Sequence, residues 1–253
     1  MERLGTDVIA EMLDQAKEEE LPGLIARFLT DERKSVQKLA QKSQKKLDDL
    51  EKERKRMYDL FAYERKYQDY QYICGIDEAG RGPWVGPVVA GAVILPKNCD
   101  ILYINDSKKL SEKKREELYD VICEKAVAYA VGVVSEKRID EINILNATKE
   151  AMAQAIAKLN PQPDFLLIDS VRLSKVNIPQ DNFDKGDALS ASIGAASIIA
   201  KVTRDRMLRE IDELYPEYHF AKNKGYGTKE HIDALAKYGP TPIHRMSFIK
   251  NYI

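Results

Sequence analysis

Tyr72-Ile73-Cys74-Gly75-Ile76-Asp77-Glu78-Ala79-Gly80-Arg81-Gly82-Pro83 is where the chain changes from helical to sheet periodicity. Residues 72–76 read as a buried strand that runs into two acids and a glycine-rich turn. Residues 88–95, Val-Val-Ala-Gly-Ala-Val-Ile-Leu, read as a second buried strand, joined to the first by the turn-rich 80–87. Further on, Ser111 is placed to cap a helix over 113–123, and 126–134 reads as a third strand. Residues 139–159 predict one long helix ended by Asn160-Pro161-Gln162-Pro163. Phe165-Leu166-Leu167-Ile168-Asp169 is a short apolar strand finishing on an acid. Helices are expected over 188–215, small-residue-rich at its start, and over 229–238, closed by Gly239-Pro240. A hairpin followed by strands alternating with helices predicts an α/β fold, a mixed sheet flanked by helices.

Residues 1–70 are written differently and predict an N-terminal helical extension to an α/β domain over 71–253. Val8, Ile9, Met12 and Leu13 fit an amphipathic helix that stops near Glu20, before Leu21-Pro22-Gly23. After the apolar stretch 24–29, Thr30 or Asp31 is a candidate N-cap for a long helix. Val36, Ala40, Ser43, Leu47, Leu50, Arg54, Met57 and Phe61 lay one seam along it. Between residues 33 and 56, ten basic residues face four acids, a local charge of +6. Two readings stand: a solvated face of a helical appendage, or a grip on nucleic-acid phosphates.

The whole chain of 253 residues is nearly neutral, with 40 basic and 41 acidic side chains, so a nucleic-acid partner must be held by a local patch. A composition 44% hydrophobic and 32% charged excludes a wholly disordered chain. Cys74, Cys99 and Cys123 form no C-x-x-C pair and read as reduced thiols. No run approaches the roughly 18 apolar residues that cross a bilayer, and no apolar signal core follows the N-terminus. The expectation is a cytoplasmic protein with no membrane partner.

Four acids stand out. Asp77 and Glu78 follow the first strand, Asp169 ends the strand at 165–169, and Asp187 follows Lys185-Gly186 just before a helix. Successive strand side chains point to opposite faces, so adjacent acids serve one site only where the strand is ending. Singly each has an ordinary explanation: Asp169 a turn, Asp187 a helix N-cap. Together they are hard oxygen donors without a histidine or cysteine pattern, which suits Mg²⁺ or Mn²⁺ and not zinc. Two such ions about 4 Å apart activate a water and stabilise the leaving oxygen of a phosphodiester. Mutual repulsion of the carboxylates builds in a metal requirement. The residues alone thus indicate metal-dependent phosphoryl transfer.

Gly75-Ile76-Asp77-Glu78-Ala79-Gly80-Arg81-Gly82 closely resembles the signature of the type 2 ribonucleases H, ribonuclease HII in particular. The resemblance continues through Asp106-Ser107-Lys108-Lys109-Leu110, Asp169-Ser170, Lys185-Gly186-Asp187, the run 192–205 from Ser192 to Asp205, and Lys224-Gly225-Tyr226-Gly227-Thr228. It covers about residues 72–238, in order. It implies an RNase H-like fold over 71–253 and a catalytic role for that domain. It also implies hydrolysis of RNA in RNA/DNA hybrids and incision of DNA duplexes at embedded ribonucleotides, leaving 3′-hydroxyl and 5′-phosphate ends. Asp77, Glu78, Asp169 and Asp187 match the family's catalytic, metal-binding acids. Gly80-Arg81-Gly82 matches the loop that reads the ribose 2′-hydroxyl, and Tyr226 the tyrosine that supports this reading. Glycines let backbone amides approach a sugar closely, and the 2′-hydroxyl is what distinguishes RNA from DNA.

Lys108, Lys109, Ser192, Ser197, Lys201 and Arg204 are further candidates for phosphate contact, although small residues such as the serines also let a helix pack closely on a sheet. His219, His231 and His244 have no ligand spacing and receive no role; Trp84 reads as packing. The sister enzyme ribonuclease HIII, which carries a different N-terminal domain, and a catalytically silent nucleic-acid binder are the alternatives. A monomer is expected. A replication-machinery partner is left undetermined, the tail 248–253 reading as core packing before a docking peptide.

Overall fold

The computed structural model describes residues 4–253, and the chain divides into two compact units, one up to Tyr58 and one from Asp59 to Ile253. The first holds α1 (Thr6–Gln15), α2 (Leu21–Leu29) and most of α3 (Lys34–Leu60) around Ile9, Leu13, Ile25, Phe28, Val36, Ala40 and Leu47. α1 stops short of Glu20 because the backbone turns extended at Ala16. Leu21-Pro22-Gly23, expected only to follow a helix end, opens α2, and Pro22 sits in its first turn, where its missing N–H leaves no hydrogen bond unmade. Asp31 accepts from the Arg33 N–H at 2.9 Å and grips the Arg33 guanidinium, ahead of α3. Of the expected seam, Val36, Ala40, Leu47 and Met57 are buried, but Arg54 is exposed and pairs with Glu18, and Leu60 is buried in place of Phe61.

In the second unit α4 (Ala62–Lys66) and the turns after it carry Tyr63, Tyr67 and Tyr70. Tyr67 and Tyr70 meet the Phe165 ring with centroids 4.1 and 4.6 Å away, and Tyr63 meets Phe183 at 4.2 Å. These contacts tie residues 59–70 to the sheet-bearing unit. The chain continues through β1 (Ile73–Ala79), β2 (Val88–Ile94), α5 (Glu112–Lys125), β3 (Ala128–Val134), α6 (Glu136–Ile142) and α7 (Ile144–Ala157). It then forms β4 (Phe165–Asp169), β5 (Gln180–Phe183), α8 (Ala191–Leu214), α9 (Phe220–Asn223), α10 (Lys229–Tyr238) and α11 (Met246–Ile249). The five strands lie in the order β3-β2-β1-β4-β5, with β1 antiparallel to β2 and parallel to β4. This is the mixed sheet expected, with helices on both faces.

On one face of β1 and β2, glycines at 75 and 91 let α8 come close to the sheet. A Cβ at Gly75 would sit 2.0 Å from the Ser192 carbonyl carbon, and one at Gly91 2.3 Å from the Ala196 oxygen. On the other face Cys74, Ile76, Ala92 and Ile94 pack with Ala147, Ala151, Met152 and Ala155 of α7. The expected helix over 139–159 is two helices, because Asn143 adopts φ 66 and caps α7 through the Asn146 N–H. β5 is an edge strand that the apolar pattern did not signal. α8 starts at Ala191, capped by Ser190 Oγ, after a 3-10 turn at Gly186–Ala188. Ile249 is buried, and the Tyr252 ring meets Trp84 at a tilt with centroids 4.3 Å apart, so the tail packs on its own unit. No helix among the described residues is long and apolar enough to cross a membrane.

Candidate active site

Ile76 of β1 pairs with Ile168 of β4 in parallel register, so Asp77 and Asp169 are the next residues on adjacent strands. Both carboxylates therefore leave the sheet at the C-terminal edge of parallel strands, where α/β folds gather ligand-binding groups. β1 does not stop at Ile76: it runs on beside β2 to Ala79, with Glu78 opposite Ala90. Its pairing with β4 ends at Ile76, so Glu78 occupies a strand end on that side only. The Gly186 N–H donates to Asp169 Oδ1 at 2.8 Å, which ties the turn bearing Asp187 to the end of β4. Asp187 is buried and caps nothing, since Ser190 holds that position.

The electrostatics of the four acids are mutual. Burial pushes Asp77 well above the usual carboxylate range, and neighbouring Glu78 and Asp169 add to it against the hydrogen bonds from Ser197 and the Glu78 N–H. Burial also raises Glu78, with Asp169 outweighed in part by Arg81 and Lys108. Asp187 is pushed up to about 6 by burial, then by Asp106 and Asp169. Lys108 stands among Asp77, Asp106, Asp187 and Glu78, and their charges raise its pKa against the opposing effect of burial. Asp106, hydrogen-bonded to Asp187, is the acid to which sequence reasoning gave no role; its only signal was a place beside Ser107-Lys108.

These side chains fit a hard divalent cation. All are oxygen donors, and Glu78 Oε2 is buried without a hydrogen-bond partner, while Oε1 receives Arg81 Nη1 at 3.3 Å. Among the described residues no three such side chains lie close enough together to form a ready metal cage.

Next to the acids, Gly80 adopts φ +94, and a Cβ at Gly82 would lie 3.4 Å from Tyr226 Cε1. The structure thus brings the Gly80-Arg81-Gly82 loop under the ring of Tyr226, which is 51% exposed. Of the candidate phosphate contacts, Lys108 and Lys109 are exposed on the 3-10 turn Ser107–Lys109. Ser197 Oγ faces inward, donating to Ser107 Oγ at 2.9 Å beside Asp77. Ser192 is buried, its N–H on Glu64 Oε1, and Lys201 is ion-paired with Asp205 at 2.6 Å. Arg204 does not reach solvent: it is 1% exposed and donates to the carbonyls of Val85, Pro87 and Lys224, which overturns its expected phosphate contact.

The model of the family described as Ribonuclease HII matches residues 74–251, and that of the Ribonuclease HII N-terminal domain matches 7–68. A ribonuclease HII of Lachnoclostridium phytofermentans is 59% identical over 229 residues, 90% of each chain. That of Bacillus subtilis is 48% identical over 250 residues, 98% of this chain and 97% of its own. The crystal structure of ribonuclease H2 from Pyrococcus horikoshii superposes with a TM-score of 0.62 at 28% identity, covering 72% of this chain and 97% of that one. The fold and these matches define a metal-dependent nuclease of the RNase H-like class. Within that class, the chain belongs to the ribonuclease HII family.

Proposed function

We propose that this enzyme hydrolyses the RNA strand of RNA/DNA hybrids and incises DNA at embedded ribonucleotides, leaving 3′-hydroxyl and 5′-phosphate ends. The observation that supports the reading is that the glycine-rich loop with the Gly82–Tyr226 contact directly follows the strand-end acids Asp77 and Glu78. Asp77, Glu78, Asp169 and Asp187 are the metal-holding acids in this reading. A bound pair of Mg²⁺ or Mn²⁺ ions would supply Lewis acidity, lowering the pKa of the attacking water and neutralising charge on the leaving oxygen. Lys108, set among the acids, tempers their charge and attracts the scissile strand. The Gly80-Arg81-Gly82 backbone and Tyr226 orient the ribose, and a deoxyribose offers that loop no 2′-hydroxyl. Lys109 and Lys201 are kept as contacts to flanking phosphates, Lys201 after exchanging its Asp205 partner, whereas Ser192, 1% exposed like Arg204, is closed to a phosphate and its expected contact is withdrawn.

The N-terminal helical segment, expected over residues 1–70 but with its compact unit ending at Tyr58, is proposed as a substrate grip, with the sheet-bearing unit that includes 71–253 as the catalytic domain. Lys34, Lys38, Lys45 and Lys52 recur at intervals of four and seven on α3, a spacing that sets them on one exposed face. Lys34, Lys38 and Lys45 make no ion pair among the described residues, which leaves their charge for phosphates. The enzyme is read as a cytoplasmic monomer. The test is cleavage of a duplex carrying one ribonucleotide, with Mg²⁺, with Mn²⁺ and with EDTA, and with the ends mapped. Incision 5′ of the ribonucleotide with 3′-hydroxyl ends, abolished by EDTA, upholds the reading; cutting of an all-DNA duplex at the same rate sinks it.

A further inference from the structure

The segment 80–87 is irregular, and an irregular buried segment must find partners for its carbonyls outside a sheet ladder. They come from two arginines. Arg245, 0% exposed, donates Nη2 to Gly80 O at 2.7 Å, Nη1 to Arg81 O at 3.1 Å and to Pro83 O at 2.8 Å, and Nε and Nη2 to Gly86 O. Arg204 donates to Val85 O, Pro87 O and, across the site, Lys224 O, at 2.9–3.0 Å. Neither guanidinium has a carboxylate within ion-pair distance among the described residues. A buried cation without a counter-ion is costly unless its donors are filled, and here main-chain dipoles fill them. The Arg204 side chain also fills the space that a Cβ at Gly80 would need, 2.2 Å from Nε.

The geometry of the peptide plane carries this further. In a trans peptide the C=O of one residue and the N–H of the next point opposite ways. By drawing the Gly80 and Arg81 carbonyls toward itself, Arg245 turns the Arg81 and Gly82 N–H groups away from itself. Neither N–H makes a hydrogen bond among the described residues. Of these two unpaired amides, that of Gly82 belongs to the residue against the Tyr226 ring, and that of Arg81 precedes it by one residue.

The Tyr226 side is held by the same C-terminal segment. His244 Nδ1 accepts from the Thr241 N–H at 2.9 Å, so its proton is on Nε2 and donates to His231 Nε2 at 3.0 Å. His231 must then carry its proton on Nδ1, which donates to the Tyr226 carbonyl at 2.9 Å. Burial holds both imidazoles neutral, His244 down to about 4. The Trp84 N–H to Gly225 O bond, at 2.8 Å, closes the frame between the two loops.

We infer that Arg245 and Arg204 are positioning residues for the ribose-reading loop, presetting the Arg81 and Gly82 amides to receive a sugar hydroxyl or phosphate oxygen beside Tyr226. The inference rests on the proposed ribose reading. Its test measures hydrogen exchange by mass spectrometry alongside cleavage, in the full chain carrying Arg245→Lys, Arg245→Met or Arg204→Lys. A lysine keeps the charge but cannot span carbonyls from Gly80 to Gly86. Exchange over 79–88 and 223–228 should accelerate by about tenfold while the strands keep their protection. KM for a duplex with one ribonucleotide should rise about tenfold with kcat within about threefold. Unchanged loop exchange in every variant, or loosening spread equally over β1–β4, overturns the positioning role. Loosening confined to the loops with KM unchanged upholds the clamp and overturns the ribose reading. Should Arg245→Met not fold, the two lysine variants decide between these outcomes.

Discussion

Arg81 Nη1 lies 3.3 Å from Glu78 Oε1, so the loop proposed to read the sugar and the acids proposed to hold metal share a charge pair. Arg81 opposes the burial that raises Glu78. In Arg81→Gln the Glu78 carboxyl should therefore take up its proton at a higher pH than in the parent. Metal affinity should begin to fail at correspondingly higher pH, measured by titrating Mn²⁺ across pH 5 to about 8. An unaltered pH dependence would separate Arg81 from the acids.

Asp77→Asn or Asp169→Asn should abolish cleavage without lowering the melting temperature in EDTA, because the amide keeps the volume and relieves repulsion. Asp187 adds a pH signature. Its raised pKa, about 6, means the folded, metal-free chain retains a proton that the unfolded chain releases near pH 4. Its contribution to stability is full below about pH 4 and is lost as pH rises through about 6. Asp187→Asn should thus gain melting temperature relative to the parent over that window and hold the gain above it. A difference that does not vary with pH would contradict this. Activity of either of the first two variants within about tenfold of the parent, about 1.4 kcal/mol of barrier, would remove that residue from the metal site.

The two glycines of the loop should part company. Alanine at Gly80 meets both a positive φ of +94 and the Arg204 side chain, so Gly80→Ala should lose about 1–3 kcal/mol of stability in denaturant. Alanine at Gly82 finds ordinary contact with Tyr226 at 3.4 Å, so Gly82→Ala should fold like the parent and lose substrate affinity alone. Equal stability losses in the two variants would contradict the geometry.

Tyr226 is half-exposed, and its side-chain hydroxyl makes no hydrogen bond among the described residues. Tyr226→Phe should be mild if the ring stacks on the sugar or base, whereas Tyr226→Ala should cost about 1–3 kcal/mol of binding. A hydroxyl contact alone would make both substitutions cost about 0.5–1.5 kcal/mol. The comparison is read on duplexes with one ribonucleotide and with a run of four. Parent-like rates and affinity for Tyr226→Ala on both would exclude it from recognition.

Replacing Lys34, Lys38 and Lys45 together by glutamine tests the N-terminal grip. For every phosphate no longer neutralised, the plot of log affinity against log salt should flatten by about 0.9 on a B-form duplex. The melting temperature should not move, because all three side chains are exposed. An unchanged slope returns the face to simple solvation.

Legibility in the sequence followed burial and local chemistry. β1, β2, β4 and α10 announced themselves because apolar runs or a glycine stop are local signals. β5, Gln180-Asp181-Asn182-Phe183, is stabilised by its place beside β4 and carries no pattern of its own. The break at Asn143 hid because a single left-handed asparagine leaves the helical periodicity on either side intact. The four acids could be picked out by type and position. Arg204 misleads because a cation in a motif suggests phosphate, whereas its carbonyl partners come from loops distant in sequence. Arg245 and the His231–His244 pair offered no spacing at all, since their partners exist only once the chain has folded.

The parallel pairing of β1 with β4 also sets when activity can first exist. Asp77 and Asp169 are separated by roughly ninety residues of chain, and no local hairpin can bring them together. During synthesis β1, β2 and β3 can assemble as an antiparallel meander, because each pairs with its sequence neighbour. The crossover through α6 and α7 must close before β4 inserts, and Asp187 follows later still. On the proposed assignment of the acids, a nascent chain holds only Asp77 and Glu78 of its metal-binding set until the sheet has gained β4. Cutting would then have to wait for the long-range closure of the sheet.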